Sequence, residues 1–286
     1  PPEPRCKTSM HATAHLEAIA SAVQARMQPW LPGLVAKVVA EVDSTNSELM
    51  RCARDDPPQT QTPRLLVAQR QTGGRGRLGR QWHGQCGQLA FSLGVYLTPP
   101  AWDGLSLAVG CAVAESLSET PDHRVLLKWP NDLWLDGCKL GGILVETAGV
   151  GEAVGTTGGR YAVIGIGINI VRPVSPDNAA DRFRTPPVGL NELLPGVDAH
   201  AALLLLAEPL AAAVAAFALA GFAPFQARFN ARDALRDRAV VLSDGTQGTA
   251  HGVSDSGALL VHTARGMQSV TSAEISVQPA LSSNHL

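Results

Sequence analysis

With 286 residues, 45% of them hydrophobic and 17% charged, the chain can bury the core of one or two globular domains without disulfides. A formal net charge of −2 excludes the overall basic field of a general nucleic-acid binder. The five cysteines (Cys6, Cys52, Cys86, Cys111 and Cys138) are odd in number and include no CxxC pair, which argues against a disulfide framework or a structural zinc site and for a reducing cytoplasm.

Residues 1–10 lack the basic-then-apolar pattern of a signal peptide. His15, Leu16, Ile19, Val23 and Met27 fall at helical spacing, which predicts a helix over 11–28. One helix before Pro29 and Pro32 leaves no room for a winged helix-turn-helix. Residues 35–42 read as a strand, Asp43-Ser44-Thr45-Asn46 as a helix N-cap, and 47–53 as the helix that follows. Such a cap can also turn hydroxyls and first amides toward a small polar ligand. Residues 65–68 form a second strand that runs into a glycine- and arginine-rich segment at 73–80. Residues 89–97 alternate as a strand, 105–117 read as a helix and 125–127 as a short strand. Residues 133–135 and 143–146 pair as a hairpin across Asp136-Gly137. A glycine-rich strand is expected over 161–170, and the four prolines of 171–187 predict a mobile loop.

The apolar run 199–222 is long enough for a bilayer, yet it contains His200, Glu208 and Pro209 and is rich in alanine. A buried core helix, broken near Pro209, is the expectation. Beyond Ala234, short β-type runs at 239–242, 257–261 and 268–270 alternate with turns at Asp244-Gly245, Ser256-Gly257 and Arg265-Gly266. That spacing predicts a small separate β-barrel. Strands and helices mix without strict alternation, so the main domain is α+β. The expected division is an extension over 1–36, a catalytic domain over 37–234 and a C-terminal domain over 235–286.

The densest chemistry lies in Gln71-Thr72-Gly73-Gly74-Arg75-Gly76-Arg77-Leu78-Gly79-Arg80-Gln81-Trp82. Gly74, Gly76 and Gly79 satisfy GxGxxG, but a dinucleotide site needs a helix to open at the third glycine. Here Gln81-Trp82-His83-Gly84 and a strand follow, and no P-loop occurs in the chain. Glycines let backbone N–H groups turn inward, and Arg75, Arg77 and Arg80 supply planar charged forks. This suits a polyanion such as triphosphate; a solvated basic loop and a nucleic-acid contact remain as alternatives. In Lys128-Trp129-Pro130-Asn131-Asp132 a lysine leaves a strand into a turn, and Lys139 precedes Leu140-Gly141-Gly142-Ile143. A lysine near a buried wall is either paired with an anion or shifted in pKa; an ordinary hairpin lysine is the alternative. Gly165-Ile166-Gly167-Ile168-Asn169 bares one strand face to a ligand, to another backbone or to a packed helix. Trp82, Trp129 and Trp134 either belong to the core or cover an adenine or an apolar ligand face. No HExxH or GxSxG motif occurs.

Taken in order, DSTN, QTGGRGRLGRQW, KWPND, KLGG and GIGIN resemble the biotin–protein ligases, over roughly residues 37–280. The resemblance implies an α+β mixed-sheet catalytic domain of the biotin/lipoate ligase type and a small SH3-like barrel that includes 257–261 and 272–277. It implies ATP-dependent conversion of biotin to biotinyl-5′-adenylate, followed by transfer to a lysine of a biotin carboxyl carrier protein. Ser44, Thr45, Asn46, Gln71, Gly74, Arg75, Gly76, Lys139 and Gly142 match biotin-site positions. Arg75, Arg77, Arg80, Trp82, Lys128, Asn131 and Asn169 match the nucleotide side, with Lys139 and Arg77 as the catalytic pair. The resemblance implies Mg²⁺ carried mainly by the ATP phosphates and assigns no particular residue to it. Leu78 departs from the family, standing where a further arginine is common. The short N-terminal segment implies a ligase without the DNA-binding repressor function, cytoplasmic, with no nucleic-acid or membrane partner and compatible with a homodimer. A lipoate ligase or lipoyl/octanoyl transferase, and a biotin-responsive transcriptional regulator, are the alternatives.

Overall fold

The computed structural model describes residues 6–55, 61–82, 87–118, 125–148, 159–173, 185–271 and 278–279, with side chains for those between residues 14 and 271. In chain order these form α1 (Cys6–Met27), β1 (Val35–Val42), α2 (Thr45–Asp55), β2 (Arg64–Gln71), β3 (Gln88–Leu97), α3 (Leu105–Leu117), β4 (Val125–Lys128), β5 (Asp132–Leu135), β6 (Cys138–Ala148), β7 (Arg160–Asn169), α4 (Ala199–Ala220) and α5 (Gln226–Ala231). A second set follows: β8 (Ala239–Val241), β9 (Gln247–Val253), β10 (Leu259–Thr263), β11 (Gly266–Val270) and β12 (Gln278–Pro279).

The first seven strands make one mixed sheet in the order β1-β2-β3-β7-β6-β5-β4. β1 and β2 run parallel and every other pair is antiparallel. The last five strands make a separate antiparallel sheet, β11-β10-β9-β8-β12. The α+β expectation with a small C-terminal β unit is met.

Residue size, not polarity, alternates along β3. Leu89, Phe91, Leu93 and Val95 join the main core with α1, α3 and α4, while Ala90, Ser92 and Gly94 occupy the opposite face. On β7 the corresponding small residues are Gly165 and Gly167, paired with Ser92 and Ala90. One face of the sheet is therefore filled by large side chains and helices. The other is left shallow, and Leu49 and Ala53 of α2 cover only part of it, with Leu66, Tyr161 and Val163.

The expected break at Pro209 is corrected. α4 runs unbroken from Asp198, whose carboxylate accepts from the Ala201 amide (2.7 Å), to Gly221 at φ 65°. Pro209 and Leu205, the residue whose carbonyl it deprives of a partner, both lie on the exposed side, where water can satisfy that carbonyl. The helix is long and apolar enough to cross a membrane by length and composition. Here its opposite side, including Leu203, Leu206, Leu210, Val214 and Phe217, is buried in the core.

α1, expected as part of an extension, contributes Ile19, Val23 and Met27 to that same core. Its Gln24 Oε1 also accepts from the Ala36 amide of the edge strand (3.0 Å). In the C-terminal sheet, Gly245, Gly257 and Gly266 take positive φ at the expected turns. β9, reading QGTAHGV, shows no β-type run in sequence and is held by its neighbours β8 and β10. Residues 272–277, and 174–184 of the expected mobile loop, lie outside the described residues.

Candidate active site

The shallow face of the sheet carries two clefts that meet. The first, about 330 Å³, is lined by Ser44, Thr45, Gln71, Arg75, Trp82 and Gly142 together with the glycine face of β7. Its polar wall is the N-terminus of α2. Ser44 Oγ accepts from the Ser47 amide (3.4 Å), the expected cap, and the Thr45 amide donates to Gln71 Oε1 (2.8 Å). Thr45 Oγ1 also donates to Gln71 Oε1 (3.1 Å) and lies 2.7 Å from Ser92 Oγ. Asn46 is buried beneath this wall. A Cβ on Gly165 would stand 2.2 Å from its Oδ1, so only glycine fits there.

The arginine loop lies across the cleft. The Trp82 amide donates to the Gly74 carbonyl (2.9 Å) and the Gly76 amide to the Arg80 carbonyl (2.8 Å), which fold the segment back on itself. A Cβ on Gly74 would stand 2.5 Å from the Trp82 carbonyl. The Trp82 ring lies on Gly167, where a Cβ would come within 2.6 Å of it. Arg75 Nη1 donates to Ser47 Oγ (3.1 Å), and its Nη2 pairs with Glu146 (2.5 Å). Leu78, at φ 58°, is exposed at the loop tip.

The second cleft, about 530 Å³, is lined by Gln81, Trp82, Gln88, Lys139, Asn169 and Pro187 among others. Trp82 thus lines both. Lys139 stands at their junction: its Nζ lies 3.8 Å from the point where a Cβ on Gly142, in the first cleft, would be. Residues three apart on a regular strand face opposite ways. A bulge makes the difference here: Trp134 pairs with Lys139 and Leu133 with Gly141, leaving Leu140 as the extra residue. The Asp136-Gly137 turn, with φ of 51° and 78°, sets this register.

Cations converge around one carboxylate. Lys139 Nζ donates to Asp132 Oδ1 (2.7 Å). Lys128 lies over the Trp134 ring, 4.8 Å from its centre. Burial pushes the Lys128 pKa down, Asp132 opposes that shift, and Lys139 and Arg80 reinforce it. Burial likewise works against the charge of Arg77, with Asp132 opposing and Arg80 adding to the effect. Lys139, Lys128 and Arg77 around Asp132, with Arg80 beside the last two, leave an excess of positive charge that an incoming polyanion would relieve.

Residues 39–169 match the model of the biotin/lipoate A/B protein ligase family, and residues 239–278 that of the biotin protein ligase C terminal domain. The biotin–acetyl-CoA-carboxylase ligase of Paracoccus denitrificans is 34% identical over 249 residues, spanning 83% of this chain and 98% of that protein. The chain belongs to the biotin protein ligase family. The bifunctional ligase/repressor BirA of Escherichia coli, another similar protein, is 31% identical over 262 residues, 87% of this chain and 76% of its own. Among solved structures, the biotin protein ligase from Aquifex aeolicus in complex with biotin and ATP superposes with a TM-score of 0.65 at 27% identity, over 87% of this chain and all of that one.

The motif residues expected from the family resemblance are not all free to meet a ligand. Ser44, Thr45, Asn46, Gln71, Arg75 and Gly142 line the first cleft, Lys139 and Asn169 the second, and Trp82 both. Gly74 and Gly76 shape the loop through their backbones. Asn46 is buried at the cleft wall with its amide already engaged, Nδ2 donating to the Leu144 carbonyl (3.3 Å) and Glu146 (3.0 Å). Asn131 Nδ2 donates to the Ile143 carbonyl (2.9 Å) and its Oδ1 accepts from Arg77 (3.4 Å), so it braces that arginine. Asn169 Nδ2 donates to the Lys139 and Val188 carbonyls (both 3.3 Å), holding the strand that carries the lysine. Arg80 is exposed. Trp129 belongs to the core, its Nε1 donating to the Gly257 carbonyl (3.1 Å). Asp132, Ser92 and Glu146 were absent from the expected site. A lone serine or glutamate in an otherwise apolar strand was the signal available for the last two.

Proposed function

We propose that the chain is an ATP-dependent biotin–carboxyl-carrier protein ligase, with the biotin ring system in the first cleft and the nucleotide in the second. The observation that carries this reading is the junction itself: Trp82 lines both clefts, and Lys139 stands where they meet. Ser44, Thr45 and Gln71 supply polar partners for the ring end of biotin, between walls of glycine and apolar side chains. Its carboxylate then reaches Lys139.

In the first step the biotin carboxylate attacks the α-phosphorus of ATP. An acyl–phosphate bond forms, the α–β anhydride breaks, and pyrophosphate leaves. Two anions must meet, and at an effective dielectric of ~20 a pair of unit charges ~4 Å apart repels by about 4 kcal/mol, a rate factor near 10³. Lys139, released from Asp132, and Arg77, braced by Asn131, offset that repulsion and stabilise the developing charge. In the second step a carrier lysine amine attacks the acyl carbon, the amide forms, and AMP leaves with its oxygen. The loop over 73–82 covers the first cleft and so keeps water from the reactive anhydride.

Mg²⁺ enters with its nucleotide. Among the described residues no cluster of three or more His, Cys, Asp or Glu is suited to hold a metal, and Asp132 is paired with Lys139. The division at residues 36 and 234, an SH3-like C-terminal unit, a cytoplasmic location and a homodimer complete the reading. The near-neutral net charge supports a role without nucleic acid. Two measurements test it. Labelled biotin should enter a carrier domain only with MgATP, and calorimetry should show biotin binding more tightly than lipoate. No labelled carrier, or tighter lipoate binding, would reverse the assignment.

A further inference from the structure

Glu146 belongs to no motif, yet it joins the arginine loop to the floor of the first cleft. One carboxylate oxygen pairs with Arg75 Nη2 (2.5 Å), while the other accepts from Asn46 Nδ2 (3.0 Å). Asn46 Oδ1 accepts from Ser92 Oγ (2.6 Å), whose hydroxyl also lies 2.7 Å from Thr45 Oγ1, and Thr45 donates to Gln71. A continuous polar chain therefore runs from the loop, through Glu146, to the side chains that line the cleft. Ser92 and Asn46 are buried, so the chain's lower end is fixed.

An exposed ion pair formed by two free side chains contributes little, because both must be immobilised. Here Glu146 is already oriented by Asn46, and its side chain is only 22% exposed against 47% for Arg75. Arg75 has a second anchor in Ser47 Oγ (3.1 Å) on α2. Both anchors stand on rigid elements, β6 and α2, at the mouth of the cleft.

We infer that Glu146 is a positioning residue that latches Arg75, and with it the arginine loop, over the bound ring system, and so sets how fast biotin escapes. The inference rests on the proposed ligase reading and adds a residue to it. Glu146→Gln keeps an oxygen for Asn46 and removes the charge that holds Arg75. The expected result, in biotin-dependent ATP–pyrophosphate exchange by the full chain, is a biotin KM raised about five- to tenfold, in the range that loss of a pre-oriented ion pair allows. Turnover at saturating biotin, the KM for ATP and the melting temperature without ligand should stay within about twofold or a degree or two of wild type. Release of labelled biotin should quicken in the same ratio as the KM.

An unchanged biotin KM and release rate in an active background overturns this inference alone. So does a fall in turnover with unchanged KM, or a parallel loss of ATP affinity and melting temperature, which would make Glu146 a structural residue. Wild-type protein that performs no biotin-dependent exchange overturns the ligase reading, and this inference with it. If the Gln variant does not fold, Ser47→Ala cuts the loop's other anchor and should raise the biotin KM about two- to threefold; no change there overturns the latch.

Discussion

Lys139 owes its position to a single unpaired residue. Without the bulge at Leu140 its ammonium would face away from Gly142, and the junction of the two clefts would lose this cation. Its replacement by alanine should lower biotin-dependent pyrophosphate exchange at least about 10²-fold, the usual loss when a charge-stabilising donor is removed. Near-normal exchange in a folded Lys139→Ala variant would remove this lysine from the chemistry. Asp233 tests a different piece of electrostatics. Burial pushes its carboxyl up to about 6, and although Oδ1 accepts from the Leu235 amide (2.8 Å), Oδ2 is buried without a partner among the described residues. The unfolded carboxyl loses its proton near pH 4. Between there and pH 6 the native state binds more protons than the unfolded one, so the Asp233 contribution to stability falls as pH rises. Asp233→Asn should therefore gain about 1–3 kcal/mol on wild type between pH 4.5 and pH 7.5 in urea titrations. An identical pH dependence in the two proteins would contradict the burial argument.

Much of the element pattern was legible in the chain. Periodicity marked α1, α3 and the strands of the first sheet, and Asp136-Gly137 marked the hairpin, because these depend on neighbours close in sequence. The bulge was not legible, since an extra residue shows only in pairing with another strand. β9 was hidden for a related reason: its glycines and polar residues gain their conformation from β8 and β10. Pro209 misled the reading of α4 because sequence carries no record of which side of a helix meets solvent. α4 tolerates the proline at a cost, so Pro209→Ala should restore a donor to the Leu205 carbonyl and stabilise the fold by about 1–3 kcal/mol. Chemical denaturation would reveal it; a loss of stability would mean that the proline shape is needed, for instance to leave the Leu204 carbonyl open to Arg26 Nη1 (3.0 Å).

The two sheets share one continuous core, reached by α1 from one side and by Leu235, Val240 and Val261 from the other. Polar ties reinforce the join: Trp129 donates to the Gly257 carbonyl, and Gln226 Nε2 on α5 donates to the Val253 carbonyl on β9 (2.9 Å). Trp129→Phe keeps most of the packing but strands a buried carbonyl, which should cost about 1–3 kcal/mol of unfolding free energy. A neutral result would show that the tie is replaced by solvent. The candidate site was legible as an ordered set of motifs, and the fold brings their cations to one place. Sequence could not show which site amides are already claimed by structural partners, as those of Asn46, Asn131 and Asn169 are. That division depends on which side chains the backbone has already claimed as partners.

The central claim is that one site activates a carboxylate with ATP at Lys139. Mass spectrometry of the purified chain after incubation with biotin and MgATP tests it most directly. Biotinyl-5′-AMP should accumulate at about one equivalent per protein, vanish when either substrate is omitted, and disappear on addition of a carrier domain. Protein that binds both substrates yet yields no biotinyl-5′-AMP would contradict the account.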